Sequence, residues 1–266
     1  MRELTDDEYE RYARHIILEG VGAEGQSKLL DSSVLIIGAG GLGSPVALYL
    51  AAAGVGRIGI VDHDVVEPSN LQRQVIHTEA RTGTPKALSA AESMRALNPH
   101  IVIEPHVMAV NASNLLALVK NYDFVIDGTD NFAAKFLIND ACVLANKPYS
   151  HGGILRFTGQ TMTVLPHKSA CYACVFDSPP PAESVPTCAT AGILGAVAGM
   201  LGTIQAAEAL KYLIGTGDAL SDQMLHFDAK TMDFRKVRFK KNPKCRVCGE
   251  HGIEALSDYE GTVCDF

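Results

Sequence analysis

The sequence predicts an α/β protein built on a mostly parallel sheet, and the clearest sign of it is one glycine-rich stretch. Residues 34–62, VLIIGAGGLGSPVALYLAAAGVGRIGIVD, have the pattern of a strand, a glycine turn, a helix and a second strand. The first strand is apolar without polar alternation, as in parallel strands covered on both faces. With 266 residues, 47% of them hydrophobic, the chain can bury a full core as one large domain.

The glycine turn carries the strongest nucleotide signal. Gly38, Gly40 and Gly43 fit the pattern G-x-G-x-x-G, in which glycines permit a tight turn, approach of the backbone to phosphate and helix–strand packing. Gly41 adds further freedom, and the N-terminus of the following helix offers N–H groups to an anion. Asp62 ends the second strand, where an acidic residue accepts hydrogen bonds from a ribose.

Other segments continue the alternation of strands and helices. Further strands are predicted at residues 101–105, 123–127 and 160–164, and further helices at residues 26–30, 111–119 and 191–204. Because ligands of parallel sheets bind beyond the carboxyl ends of the strands, we expect the functional side chains in the polar segments that follow them.

The composition disfavours several classes of function. A net charge of -7 argues against a sequence-independent nucleic-acid binder, which would carry a basic face. No charged and then apolar leader opens the chain, and the apolar run 191–204 gives way to Gln205, Glu208 and Lys211, so it is too short to span a bilayer. We expect a cytoplasmic protein with no nucleic-acid or membrane partner.

Two C-x-x-C pairs predict a structural zinc site. Cys171 with Cys174 and Cys245 with Cys248 can each direct two thiolates at one tetrahedral Zn²⁺. About seventy residues separate the pairs, so the chain would have to leave and return; two unrelated knuckles or a redox pair are the alternatives. Seven cysteines, an odd number, also favour a reducing compartment.

The N-terminal segment predicts a short amphipathic helix. Thr5 and Glu8 form a capping box, and the helix is expected to continue through Arg11, Tyr12 and Arg14. From the residues alone, this helix is a docking arm with Arg14 on a solvated face.

Three charged residues follow the predicted strands and suggest a triphosphate. Arg73 lies in the polar segment after Asp62, and Lys86 follows Gly-Thr-Pro at the start of a helix; either is otherwise a solvated surface charge. Asp130 follows the strand 123–127, where a carboxylate facing phosphates calls for Mg²⁺ between them. The alternative is an Asx turn or a helix cap formed by Asp130 or Asn131.

The chain as a whole resembles the bacterial E1-like activating enzymes, which include the adenylyltransferases of thiamine-thiazole and molybdopterin synthesis. The resemblance rests on residues 11–16, 38–43, 62 with 64, 69–74, 86 and 129–132, and on both cysteine pairs. It implies a doubly wound, Rossmann-like, mostly parallel sheet with an antiparallel extension that carries the zinc. It also implies a homodimer.

The resemblance further implies a reaction in which a small ubiquitin-like carrier presents its C-terminal Gly-Gly. The carboxylate attacks the α-phosphorus of MgATP, giving an acyl adenylate and pyrophosphate. Arg73 and Lys86 match phosphate contacts, Arg14 matches an arginine supplied by the partner subunit, and Asp130 matches a magnesium-associated carboxylate. The nucleotide set that matches the family comprises Gly38, Gly40, Gly41, Gly43, Asp62 (the ribose ligand), Asp64, Ser69, Asn70, Arg73, Lys86, Asp130 and Asn131.

Three cysteines lie outside the zinc pairs. Cys188 follows a proline-rich loop and precedes the helix 191–204; family members use a cysteine there in covalent handling of the carrier, whereas the alternative is a small apolar residue that caps the helix. Cys142 is predicted to lie in the core, and Cys264 has no assigned role. Relatives often carry arginine where Lys135 stands, and lysine lacks the bidentate fork, which disfavours a phosphate contact there.

The predicted domain spans residues 1–266, with an N-terminal arm (1–30), a nucleotide-binding half (31–165) and a zinc-bearing, carrier-binding half (166–266). No sulfurtransferase domain follows Phe266, so we expect a separate sulfurtransferase as a partner. Two other functions are held open. One is an NAD-dependent oxidoreductase, which would leave Arg14, Arg73 and Lys86 without a role. The other is a nucleotide-binding member that acts on another acyl substrate or as a scaffold. The carrier and its pathway are not specified.

Overall fold

One eight-stranded sheet organises the protein in the computed structural model, which describes residues 2–180 and 191–259. The strands are β1 (Ser33–Ile37), β2 (Arg57–Val61), β3 (Val102–His106), β4 (Phe124–Asp127), β5 (Tyr149–Leu155), β6 (Thr158–Val164), β7 (Gln223–Asp228) and β8 (Asp233–Arg238). Their order across the sheet is β3-β2-β1-β4-β5-β6-β7-β8.

The first five strands are parallel and doubly wound. In β1, Val34 lies opposite Ile58 of β2 on one side and opposite Phe124 of β4 on the other. The chain builds outward from β1 through β2 to β3, then returns to the other side of β1 for β4 and β5. The strand order therefore reverses between β1 and β4, and sheets of this kind bind ligands at that reversal.

The last three strands form the antiparallel extension that the family resemblance implied. β6 pairs with β5, β7 with β6, and β8 with β7, all antiparallel. Neither β7 nor β8 was predicted from the sequence, and the parallel strand β5 was missed as well. Every residue of β8 is exposed, so its sequence lacks the alternation of buried and exposed positions that reveals a half-buried strand.

Helices cover both faces of the sheet. They are α1 (Asp6–Arg11), α2 (Ala13–Ile16), α3 (Gly22–Asp31), α4 (Gly43–Ala53), α5 (Lys86–Leu97), α6 (Leu115–Val119), α7 (Phe132–Leu144), α8 (Tyr172–Val175) and α9 (Gly195–Ile214). Two 3-10 turns, Pro68–Asn70 and Glu79–Arg81, lie between β2 and α5. Among the described helices, none combines the length and apolar character needed to cross a bilayer.

Several helix boundaries differ from those expected. The Thr5–Glu8 capping box is present, but the helix breaks at Tyr12, whose hydroxyl accepts a hydrogen bond from Asn98 at 2.9 Å. The predicted helix 111–119 begins only at Leu115.

The apolar helix predicted at 191–204 instead runs from Gly195 to Ile214 as α9. The polar residues Gln205 and Glu208 lie on the buried face of this helix because each has a hydrogen-bond partner. Gln205 donates to the Asp127 carbonyl at 2.9 Å, and Glu208 accepts from Thr163 at 2.7 Å.

Two large apolar layers, one on each face of the sheet, make up most of the core, and a smaller third cluster includes Leu42, Leu201 and Phe227. Val34 and Ile36 of β1 face the layer built with α4, α5 and α9. Leu35 and Ile37 face the layer built with α6 and α7, which also holds Cys142 and the zinc-pair cysteines. Alternate residues of a strand face opposite sides, so β1 is apolar from Val34 to Ile37. The predicted core position of Cys142 is confirmed at 0% exposure.

Candidate active site and metal centre

Close backbone contacts explain the first and last glycines of the turn between β1 and α4. Gly38 has φ +97°, and a Cβ there would lie 2.7 Å from the Gly128 carbonyl oxygen. A Cβ on Gly43 would lie 1.8 Å from the Gly38 oxygen. By contrast, the nearest atom to a Cβ on Gly40 is 3.8 Å away, so the turn is tight at its base and has room at Gly40. Gly43 also opens α4, whose positive N-terminal end suits an anion.

The turn is held from both sides through Ala39. Its N–H donates to Asp62 Oδ2 at 2.8 Å, and its carbonyl accepts from His77 Nε2 at 3.0 Å. His77 Nδ1 lies 2.9 Å from Ser89 Oγ. Because the Ala39 carbonyl can only accept, the neutral imidazole carries its proton on Nε2, and the Ser89 hydroxyl donates to Nδ1. His77 was not predicted, since a lone histidine carries no pattern.

Asp62 lies at the carboxyl end of β2, as predicted, and its carboxylate binds the backbone of the glycine turn and of the segment that follows β2. Oδ1 accepts from the Asp64 N–H at 2.9 Å, so both carboxylate oxygens already bind backbone. Burial raises the pKa of Asp62, against the effect of these two hydrogen bonds. The remaining lone pairs of a half-buried carboxylate are available to a ribose hydroxyl.

Both predicted cations lie in the segments around this turn. Lys86 is 7% exposed, and its Nζ lies 2.8 Å from Asp64 Oδ2 in an ion pair. Arg73 places its side-chain stem beside the turn, since a Cβ on Gly41 would lie 3.5 Å from Arg73 Cγ. Its guanidinium donates to the Ser69 carbonyl at 3.1 Å. A buried lysine with one carboxylate partner at the mouth of a glycine turn is unlike an ordinary solvated surface charge.

Asn70 fixes the segment that carries Ser69 and Arg73. It is 7% exposed, and its Oδ1 accepts from the Glu67 N–H at 3.3 Å across the 3-10 turn. The Asn70 carbonyl accepts from the Arg73 N–H at 3.0 Å. Ser69 itself is exposed, with its hydroxyl donating to Glu67 at 3.3 Å.

Asp130 and Asn131 have different environments in the loop after β4. Asn131 caps α7, with its Oδ1 accepting from the Ala134 N–H at 2.8 Å, so the helix-cap alternative is confirmed for Asn131. Asp130 is exposed, and its carboxylate has no hydrogen bond or ion pair with any described residue. A free carboxylate beside the strand-order reversal is suited to a hard cation.

Arg14 lies far from this site within its own chain. It is exposed on α2, and the neighbouring Tyr12 packs at Gly54, where a Cβ would lie 2.5 Å from the tyrosine ring. Gly54 ends α4, whose other end is the glycine turn. Eleven helical residues span about 16 Å, so α2 lies at the opposite edge of the sheet from the glycine turn.

The four paired cysteines meet in one cluster. Cys171 Sγ lies 3.9 Å from Cys174 Sγ and 3.6 Å from Cys245 Sγ, and the sulfurs of Cys174 and Cys248 are 3.4 Å apart. A tetrahedral zinc with bonds of about 2.3 Å separates its sulfurs by about 3.8 Å, whereas a disulfide requires about 2.05 Å. The donor set and spacing fit Zn²⁺, and the two pairs form one site, not two unrelated knuckles.

The cluster joins two distant parts of the chain. Cys171 is the N-cap of the short helix α8 and Cys174 lies within that helix, while Cys245 and Cys248 follow β8. Backbone N–H groups of Asn242 and Val247 point at Cys174 and Cys245 sulfurs at 3.4 and 3.5 Å, which stabilises thiolates. The predicted residues Cys188 and Cys264 lie outside the described part of the chain.

Comparisons with known proteins agree with this architecture. The family model described as the ThiF family matches residues 12–247. The SAMP-activating enzyme E1 of Haloferax volcanii is 47% identical over 97% of this chain and 95% of that protein. The sulfur carrier protein adenylyltransferase of Thermus thermophilus is 45% identical over 96% and 97%.

The chain spans 57% of another relative, the adenylyltransferase and sulfurtransferase MOCS3 of Sus scrofa, which is 48% identical over 97% of this chain. Escherichia coli MccB, solved with ATP, superposes with a TM-score of 0.79 over 93% of this chain and 75% of that chain at 23% identity; this likeness concerns the fold alone. With a family model matching most of its length and relatives above 40% identity from end to end, the chain belongs to the ThiF family.

Proposed function

We propose that this protein is an ATP-dependent adenylyltransferase that activates the C-terminal Gly-Gly carboxylate of a small ubiquitin-like sulfur carrier. The observation that carries the proposal is the combination of buried Lys86, Arg73 and the unpaired Asp130 around one glycine turn. An NAD site needs the turn and Asp62 but leaves these three residues without a task. Two relatives that match this chain from end to end, a SAMP-activating enzyme E1 and a sulfur carrier protein adenylyltransferase, also support carrier adenylation.

The reaction requires little proton chemistry from the protein. A carboxylate oxygen of the carrier bonds to the α-phosphorus, the bond from that phosphorus to the bridging oxygen breaks, and pyrophosphate leaves. The attacking carboxylate is already ionised near neutral pH, so no general base is needed. A negative nucleophile approaching a negative phosphate needs fixed cations that stabilise charge in the transition state.

Residues of this chain supply those requirements. Lys86 and Arg73 would hold phosphate oxygens, which requires the Lys86 ammonium to exchange Asp64 for a phosphate. The turn would approach the phosphates through its backbone, and Asp62 would accept from the ribose. The other proposed nucleotide contacts are Asp64, Ser69, Asn70 and Asn131. Asp130 would hold Mg²⁺, which when bound neutralises charge on the phosphates.

We also propose a homodimer in which Arg14 of each protomer completes the site of its partner. The position of α2 at the edge of the sheet opposite the glycine turn supports this, because Arg14 does not reach its own site. An exposed arginine without a described partner is free to serve another subunit.

Zinc in the four-cysteine site is proposed to be structural. The four thiolates would occupy all four positions of a tetrahedral zinc ion, whereas catalytic zinc sites keep one position open. Keeping these thiols reduced suits the cytoplasm. Cys188 remains the candidate for covalent handling of the carrier, and a separate sulfurtransferase would supply sulfur for thiamine or molybdopterin synthesis.

Exchange of labelled pyrophosphate into ATP tests the proposal. We expect exchange that depends on one carrier ending in Gly-Gly and that disappears when its last glycine is removed. Absence of exchange with every carrier, despite ATP binding, would contradict carrier adenylation and favour another acyl substrate or a scaffold. Binding of NAD but not ATP would overturn the nucleotide assignment.

A further inference from the structure

A fully buried carboxylate lies directly behind the loop that carries Asp130. Asp127, the last residue of β4, is 0% exposed. His151 Nδ1 lies 2.9 Å from Asp127 Oδ2, and Thr129 donates to Oδ1 through both its N–H at 3.1 Å and its hydroxyl at 2.6 Å. Burial alone would raise the pKa of Asp127, but the Lys135 ammonium and the His151 hydrogen bond outweigh it and hold the pKa well below its usual value. The group is therefore a buried charge.

Lys135 on α7 is the cation that balances this charge. Its ammonium lies 3.0 and 3.3 Å from the two Asp127 oxygens, donates to the Thr129 carbonyl at 2.7 Å and donates to the Gly152 carbonyl of β5. An ammonium has three donors, and here all three are used inside the protein. Lys135 is 6% exposed, and its ammonium has no donor left for a phosphate.

These bonds fix Thr129 at every polar atom it has. Its N–H and hydroxyl donate to Asp127, and its carbonyl accepts from Lys135. On the other side of the loop, the Gly128 N–H donates to the Ile37 carbonyl at 2.9 Å. The loop is therefore tied both to the buried ion pair and to the end of β1, where the glycine turn begins. Asp130 is the next residue along the chain.

We propose that Lys135 is a positioning residue that holds the loop of residues 128–130 from within the core and thereby aims the Asp130 carboxylate. It does so without touching nucleotide or metal. This inference rests on the proposed function, because the role of Asp130 does.

Energetics favour this explanation over a purely stabilising one. A buried ion pair contributes little net stability compared with well-packed apolar side chains, whereas removing one member leaves an uncompensated buried charge. An apolar pair in place of Lys135 and Asp127 would lack the charge-assisted hydrogen bond from Lys135 to the Thr129 carbonyl. That hydrogen bond holds the backbone of the loop in position.

A pair of variants separates charge balance from positioning. Lys135→Met leaves Asp127 unpaired and is expected to lower the thermal midpoint. Combining it with Asp127→Asn removes the stranded charge while keeping an acceptor for Thr129, so the midpoint should return close to that of the wild type. Lys120→Met, at an exposed lysine after α6, removes the same charge as a matched control.

Activity should not return with stability. In the double variant we expect carrier-dependent pyrophosphate exchange to stay about 10- to 100-fold below wild type, the range for losing one hydrogen bond to a charged group, with a raised Mg²⁺ concentration for half-maximal rate. Lys120→Met should match the wild type in both. Recovery of exchange together with stability in the double variant would show that Lys135 only balances charge, and would overturn the proposal.

Hydrogen exchange tests the loop without any substrate. Amides of residues 128–131 should exchange faster in the double variant than in the wild type or Lys120→Met, and unchanged protection would overturn the positioning role. If the wild-type protein shows no pyrophosphate exchange with any carrier, the proposed function fails, while the amide measurement still decides whether Lys135 anchors the loop.

Discussion

Replacing His77 by leucine tests whether the glycine turn depends on a side chain buried behind it. His77 is 5% exposed, donates to the Ala39 carbonyl at 3.0 Å and accepts from Ser89 at 2.9 Å. His77→Leu leaves both groups without these partners. Because each of these two buried polar groups costs about 1–3 kcal/mol when it loses its hydrogen bond, we expect the free energy of unfolding to fall by about 2–6 kcal/mol.

His77→Gln is the matched control, since its amide offers one donor and one acceptor in place of the imidazole nitrogens. Urea unfolding measures stability, and calorimetric titration with ATP measures binding. We expect His77→Leu to lose stability and bind ATP more weakly, and His77→Gln to recover most of both. Wild-type stability and ATP affinity in His77→Leu, or equal losses in the two variants, would refute the reasoning.

Three further predictions concern the metal sites and pH. Cys171→Ser should lower the zinc content of the protein. A hundredfold loss of zinc affinity would lower the free energy of unfolding by about 2.7 kcal/mol, because zinc binds only the folded state. An unchanged zinc content and thermal midpoint would contradict the structural role. Asp130→Ala should abolish pyrophosphate exchange and leave the thermal midpoint within about 1 °C, since exposed sites affect stability little, while the exposed Asp218→Ala stays active. Burial lowers the pKa values of His77 and His151 below 6.5, so the unfolded state binds more protons. The stability that these two neutral histidines contribute should therefore be fully present above pH 6.5 and should fall as the pH drops below it. Thermal midpoints measured over a pH series test this dependence, which should be weaker in His77→Gln.

The local pattern of the sequence was sufficient for four of the five parallel strands, whereas β5 was not predicted. The unit from β1 to β2 combines an apolar run, glycines at fixed spacing and an acidic end, and each of these is a short-range signal. The cysteine pairs likewise predicted their common cluster, because thiol spacing reflects the geometry of the metal. These features need little knowledge of the rest of the chain.

What the sequence could not reveal depends on contacts between distant elements. His77 binds Ala39 and Ser89, and Lys135 binds Asp127 and Gly152; no spacing rule connects such residues. The edge strand β8 was missed because exposure on both faces removes the alternation. The pattern of its own helix predicted only that Arg14 lies on a solvated face. The packing of Tyr12 on Gly54 shows that this helix lies at the edge of the sheet opposite the glycine turn.

The most direct test of the central claim is intact-mass analysis of candidate carriers after incubation with this protein and MgATP. The account predicts that a carrier ending in Gly-Gly gains the mass of one AMP, that removal of its last glycine prevents this, and that Asp130→Ala does not form the product. Absence of an adenylate on every carrier tested, with ATP bound at the site, would contradict carrier adenylation.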